Sequence, residues 1–413
     1  MKILFLSNFY PPASRGGYEE WCQEVAQGLR NRGHEVVVLT SVHGRESLRN
    51  PEPAWIHREL QLEMELASLR NALQFFTRRK TRERENLNLL QQYVTDFFPD
   101  VILVWGMWNL PRALPAFAEK LLPGRVVYYM GDYWPTLPDQ FELYWQAPAR
   151  SLMTAIPKSI LKPIARRMLA REERPSLCFD HVLFPSAFMR DEFQRKGVKL
   201  RNTKVIYGAI DTRMYQGLND SSTRQQNGNL SLLYLGRLTT EKGVHTAIEA
   251  LGLLVRRHGL HHLTLTIVGN GEPQYEFQLR ELARRENVEG LVRFMEAQPK
   301  ETLPLLYQQA DVFLFTSIWP EPFGRVIVEA MASGVVVVGT SAGGSAEILS
   351  ENENALVFFP GDSMGLAEQI KRLADSPPLR QQLSKAARET ALAKFDIQRM
   401  TVEIEKYLWS LIQ

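Results

Sequence analysis

The sequence predicts an α/β protein built of two doubly wound domains. Three observations carry this: short apolar strands recur along the chain, helical segments stand between them, and a polar stretch divides the series. Continuous apolar runs suit the strands of a parallel sheet covered on both faces, and strand–helix alternation supplies its crossovers. A length of 413 residues is enough for two cores.

The elements follow in order. KILFLSNF (2–9) is the first strand. Trp21, Val25 and Leu29 then recur at helical spacing, and Gly33 stands where that helix should end. HEVVVLTS (34–41), DVILVWG (100–106), RVVYYMG (125–131), HVLFPS (181–186) and TKVIYG (203–208) continue the first sheet. Residues 216–229, rich in Asn, Ser and Gly, read as a linker. The second series is LSLLYLGRL (230–238), LTLTIVGNGE (263–272), VRFMEA (292–297), DVFLFTS (311–317), VVVVGTS (335–341) and ALVFFPGD (355–362). In the tail, Met400, Ile404, Leu408 and Leu411 share one helical face. The expected domains are 1–215 and 230–394, with a helix over 395–413 packing back on the first.

Composition narrows the function. A net charge of +3 gives no charge-dense face for nucleic acid. The two cysteines, Cys22 and Cys178, form neither a disulfide framework nor a metal-ligand pattern, so a reducing, cytoplasmic setting is expected. The opening apolar run is short and lacks a small-residue cleavage site, so it reads as a strand rather than a leader. No stretch approaches the roughly 18 apolar residues of a spanning helix.

In YLGRLTTEKG, Gly236 ends a strand and allows close approach, while Arg237 and Lys242 stand at the strand's carboxyl end, where open α/β sheets bind ligands. A planar fork and a point charge together suit a diphosphate. Read alone, they are two solvated cations. Gly269, Asn270 and Gly271 make a second glycine turn that either cradles a ligand or is only tight; it lacks the dinucleotide spacing. In SIWPEPFGRVIVEAMASG (317–334) a helix starts near Gly324, offering its N–H groups to an anion. Glu321 precedes that helix and Glu329 lies within it, two carboxylates suited to accept from sugar hydroxyls. The plainer reading has Glu321 complementing the dipole and Glu329 facing solvent.

Taken in order, these motifs resemble the retaining glycosyltransferases of the GT-B fold, the group 1 or family-four glycosyltransferases. Glu321-x7-Glu329, the following GVVVVGTSAGGSAEIL, LGRLTTEKG and IVGNGE match the C-terminal half of that family. NFYPPASRGGYEEWCQEVAQGLRNRGHEVVVLT matches its N-terminal glycine loop, and VIYGAIDTRMY its end-of-domain segment, here with one extra residue between Gly208 and Asp211. The resemblance spans nearly the whole chain. It implies two Rossmann-like domains facing across a cleft and transfer of a hexose from a UDP- or GDP-linked sugar to a hydroxyl of a glycan, lipid-linked or small-molecule acceptor. Arg237 and Lys242 would grip the diphosphate without a metal or other cofactor. Glu321 would contact the donor sugar, Glu329 the ribose, and the amides of Phe323, Gly324 and Arg325 the sugar or distal phosphate. Gly16 and Gly17 would close over the phosphates. A sugar-nucleotide-binding protein that has lost catalysis is the main alternative; a GT-B epimerase or phosphorylase lacks its signature here.

Two departures stand out. Relatives carry a His-Asp pair where this chain has Gly131-Asp132, leaving Asp132 to orient a hydroxyl or to cap a turn; His34 or His181 would have to approach through the fold. Glu296 stands where relatives often have glycine, which bears on the nucleotide base. YMGDYWPTLPDQFELYWQ holds six aromatics, among them Tyr133 and Trp134, expected on an acceptor loop or in the core. Two basic stretches, QFFTRRKTRERE and residues 149–174, read as solvated faces or, for the second, as a membrane surface. There Lys158, Lys162, Arg166, Arg167 and Arg171 would meet headgroups while Leu161, Ile164 and Leu169 dip in, in a helix interrupted by two prolines.

Overall fold

The computed structural model describes residues 1–14, 16–48, 51–66, 68, 70–149, 152–215 and 230–412. The linker expected over 216–229 lies outside them. The chain divides into two compact units, one of Met1–Pro185, Met189–Ile206 and Thr401–Gln413, the other of Ser186–Phe188 and Tyr207–Met400.

The first unit is organised by seven strands: β1 (Lys2–Ser7), β2 (Glu35–Ser41), β3 (Ile56–Leu60), β4 (Val101–Val104), β5 (Val126–Tyr129), β6 (His181–Phe184) and β7 (Asn202–Val205). They pair in the order β3-β2-β1-β4-β5-β6-β7, every pairing parallel. Central strands such as VILV and VVYY are wholly buried, as a sheet covered on both faces requires. The last helix (Ile397–Trp409) ends in this unit: Glu405 accepts from Arg32 and pairs with His34, and Tyr407 pairs with His181.

Six strands organise the second unit: β8 (Ser231–Leu235), β9 (Thr264–Val268), β10 (Val292–Met295), β11 (Val312–Phe315), β12 (Val336–Thr340) and β13 (Ala355–Phe358). Their order is β10-β9-β8-β11-β12-β13, again all parallel. The unit begins at Tyr207 rather than after residue 215 because that segment is bonded to residues 395–399. Ile210 donates its N–H to Phe395 O and accepts from Ile397 N–H, at 3.0 and 2.8 Å, and Thr212 Oγ1 donates to Asp396 at 2.6 Å.

The first unit departs from the sequence expectations in three ways. It has a strand, β3, and two helices, Asn71–Thr77 and Arg79–Phe97, in a region that carries no apolar run. The helix Leu152–Leu169 runs unbroken through Pro157 and Pro163, so the prolines do not interrupt it. Its inward face is also different from that expected. Ala165 joins Phe75, Phe141 and Trp145 in a buried cluster against which Leu161 and Leu169 pack, and Lys158 is buried over the Tyr144 ring at 4.0 Å. Leu161, Leu169 and Lys158 therefore belong to the interior.

Among the described residues no helix is long and apolar enough to cross a membrane, and no three His, Cys, Asp or Glu side chains gather as metal ligands. Cys22 and Cys178 are free thiols.

Candidate active site

In the second sheet the chain reverses its direction of strand addition between β8 and β11, and the carboxyl ends flanking such a reversal form the ligand crevice of open α/β sheets. Arg237 and Lys242 follow β8, and Glu321 follows β11. Backbone contact locks the two loops together. Thr316 Oγ1 donates to Lys242 O at 2.8 Å, and the N–H groups of Ile318 and Trp319 donate to Glu241 O at 2.8 and 3.1 Å. A Cβ at Gly243 would lie 2.1 Å from Thr316 O, and its φ of 65° also favours glycine. So held, Lys242 Nζ donates to Glu321 Oε1 in a largely buried ion pair. Glu321 thus answers a cation rather than only a helix dipole.

A further close approach fixes the Glu321 segment. Gly344 N–H donates to Glu321 O at 2.7 Å, and a Cβ at Gly344 would fall 2.2 Å from Pro322 O. The Gly343-Gly344 turn therefore shapes the site, although its sequence signal was only a motif match. Arg237 is exposed, and its guanidinium has no hydrogen bond or ion pair among the described residues. Its carbonyl accepts from Tyr234 Oη at 2.9 Å; burial, with the Glu321 charge adding, pushes that phenol well above its ordinary value.

The glycine turn after β9 has a packing task. A Cβ at Gly269 would stand 1.9 Å from Gly236 O, so the two strand-end turns meet backbone to backbone. Leu238 N–H donates to Asn270 O at 2.9 Å, and Asn270 Oδ1 accepts from Ala297 N–H at 2.8 Å.

The helix Arg325–Ala332 starts after Gly324, whose φ is 116°, and Phe323 is buried edge-on against Phe395 at 5.6 Å. Glu329 is 4% exposed. It does not face solvent: Oε2 accepts from Tyr307 Oη at 3.0 Å and Oε1 from Arg325 Nε at 3.2 Å. Burial, then the Glu329 charge, pushes the Tyr307 phenol well up.

In the first unit the equivalent reversal lies between β1 and β4. Tyr18, on the helix Gly17–Asn31, donates its hydroxyl to Tyr129 O and accepts Trp105 Nε1 on its own carbonyl at 2.8 Å. Its ring covers Gly131 so closely that a Cβ there would lie 2.5 Å from two ring carbons. A histidine has no room at this position. Asp132 follows; burial pushes its carboxyl up to about 7 against the N–H bond from Trp134, and Oδ1 is a buried atom with no hydrogen-bond partner in the structure. Asn8 Oδ1 is in the same condition. Neither His34 nor His181 reaches Asp132: they stand at the amino ends of β2 and β6, tied to Glu405 and Tyr407, whereas Asp132 lies beyond the carboxyl end of β5.

Gly16 is exposed, with nothing within 4 Å of a Cβ built on it, so packing does not require a glycine there; Gly17 opens the helix. Of the six aromatics, Tyr129, Trp134, Phe141 and Trp145 are buried. Trp134 packs on Tyr128 and Phe179 under the Arg112 guanidinium. Tyr133 is half-buried, stacked on Phe193 at 6.1 Å beneath Lys196 Nζ. These rings serve packing first.

Comparison with known proteins bears on the family and the fold. Residues 15–213 match the family model for Glycosyltransferase Family 4, and residues 218–390 that for Glycosyl transferases group 1. A glycogen synthase of Mycobacterium tuberculosis is 35% identical over 231 residues, covering 55% of this chain and 54% of that protein. The chain spans about half the length of the curated relatives it matches. In fold it is similar to a Rickettsia africae glycosyltransferase, with a TM-score of 0.73 and 19% identity over 100% of this chain and 98% of that one. It is likewise similar to Anabaena Alr3699/HepE, solved in complex with UDP and glucose, with a TM-score of 0.68 and 24% identity over 99% of this chain and 100% of that one.

Proposed function

The chain belongs to the group 1, family-four glycosyltransferases, and on that premise we propose that it moves a hexose, with retention, from a UDP- or GDP-linked sugar to an acceptor hydroxyl. The acceptor is a glycan, a lipid-linked sugar or a small molecule, and the enzyme works in the cytoplasm at the inner face of the membrane. The observation that carries the reading is the Lys242–Glu321 pair beside the exposed Arg237 at the carboxyl ends of β8 and β11.

The chemistry follows from those groups. Arg237 and Lys242 take the charge that develops on the leaving diphosphate, the electrostatic work a metal does elsewhere. Lys242 is drawn to phosphate, and Glu321 then accepts from donor-sugar hydroxyls. The C1–O bond to phosphate breaks while the acceptor oxygen bonds C1 on the same face, and the acceptor's proton passes to the departing phosphate oxygen. No side-chain base is required, which accords with a Gly131 closed off by Tyr18. Asp132 is assigned to orient the acceptor. Glu329 is assigned to hold the ribose hydroxyls, as a carboxylate acceptor.

Thermal melting against UDP-, GDP- and ADP-sugars tests this. A donor at about a hundred times its dissociation constant stabilises the fold by roughly 2.7 kcal/mol. The expected outcome is one responding nucleotide, with Lys242→Ala still binding the donor but transferring slowly. A protein that no nucleotide sugar stabilises would refute the proposal.

A further inference from the structure

The helix Leu152–Leu169 has a second apolar face that the fold leaves uncovered. Its first face is spent, with Leu161, Ala165 and Leu169 closing the Phe75–Phe141–Trp145 cluster. On the other side Ile156, Ile160, Ile164 and Met168 recur every fourth residue, exposed by 71, 63, 53 and 40%. Isolated exposed isoleucines need no explanation; a stripe of them along three turns does. Side chains four apart stack along one line of a helix, so this is one continuous ridge.

Charge identifies what covers it. On the helical wheel Arg167 falls between the isoleucines and Arg166 about 80° to one side of Ile156, while Lys162 lies on the side away from the stripe and Arg171 stands in the turn just past the helix. None of these four cations makes an ion pair or side-chain hydrogen bond among the described residues. The carboxylate nearest in sequence, Glu172, is already engaged by Arg79 and Lys80. A second copy docked on the ridge would set Arg166, Arg167 and Arg171 against the same three cations, a repulsive arrangement. A surface that is fluid, apolar just below and anionic above satisfies both features at once.

We propose that this helix lies flat on an anionic bilayer, with Ile156, Ile160, Ile164 and Met168 entering the acyl boundary and Arg166 and Arg167, with Arg171 in the turn that follows, meeting lipid phosphates. The inference deepens the membrane-face location given above, but rests on no step of sugar transfer. It is therefore tested without donor or acceptor.

Flotation of the full-length protein with phosphatidylcholine vesicles, with and without phosphatidylglycerol, is the measurement. Wild type should float with the anionic vesicles, stay behind with the neutral ones, and be released by salt. The triple variant Ile156→Ser/Ile160→Ser/Ile164→Ser, altered only at exposed positions, should melt as wild type yet bind anionic vesicles at least roughly tenfold more weakly. Arg166→Glu/Arg167→Glu should abolish the preference for anionic lipid. The proposal is overturned if wild type ignores anionic vesicles, if the triple variant floats undiminished, or if the stripe instead mediates dimers that the same substitutions dissolve.

Discussion

Gly243 and Gly259 offer a matched pair of perturbations. They bracket the helix Val244–His258 with nearly identical backbones, φ 65° and ψ 27° against φ 64° and ψ 24°. Their surroundings differ. A Cβ at Gly259 meets nothing within 4 Å, whereas one at Gly243 lands 2.1 Å from Thr316 O and 3.1 Å from the Ile318 side chain. Gly259→Ala should therefore cost only the left-handed penalty of a non-glycine residue, about 1 kcal/mol. Gly243→Ala carries the same penalty plus that of forcing the Thr316 carbonyl aside, about 1–3 kcal/mol. Loss of the Thr316–Lys242 hydrogen bond adds about 1 kcal/mol. The excess is then about 2–4 kcal/mol, which in a unit of this size separates the two melting temperatures by roughly 5–15 °C. Thermal denaturation followed by circular dichroism reads the difference directly. Equal melting temperatures for the two variants would show that the loop after β8 is not seated on the end of β11, and the Lys242–Glu321 arrangement would lose its support.

Other outcomes follow from the same contacts. Glu329→Ala removes the buried acceptor of Tyr307 Oη and Arg325 Nε and should cost about 3 kcal/mol in urea denaturation, besides weakening nucleotide-sugar binding. Asp132 holds its proton up to about 7 in the folded protein but only to its ordinary 3.8 when unfolded. Across that window the unfolded chain binds fewer protons, so stability falls as pH rises and levels off above about 7. Glu63, also buried and raised to about 7, adds to the slope; Asp132→Asn should make the measured stability–pH profile shallower without abolishing it. Gly131→Ala should destabilise through the Tyr18 ring, and in a thermodynamic cycle with Tyr18→Ala the double variant should cost less than the sum by about 1 kcal/mol or more.

Central strands were legible in the sequence because they are apolar on both faces: VILV, VVYY and VFLF leave no other reading. The edge strand β3 was not, since IHREL has a neighbour on one side only and keeps His57 and Glu59 outward. The helix Arg79–Phe97 hid for a similar reason: its exposed face is so charged that the buried Leu90 and Asn86 make no clear stripe. At the site, Arg237, Lys242 and Glu321 could be picked out because strand ends and glycines mark positions. Their mutual arrangement could not be, because Lys242 and Glu321 lie 79 residues apart and meet through contacts between their two loops, among them that of Gly243 with Thr316. The same holds for Gly131, whose lack of a side chain is explained by Tyr18 on another element.

The Lys242–Glu321 pair has a bearing on discrimination. Each group is the other's present partner, so a ligand gains little by satisfying one alone. Inorganic phosphate or a bare nucleotide draws Lys242 away and leaves a carboxylate unanswered; a free sugar finds that carboxylate already taken. Only a molecule presenting phosphate and hydroxyls on one covalent frame relieves both at once. On the proposed function, the two residues would act as a conjunction, favouring the joined compound over its fragments.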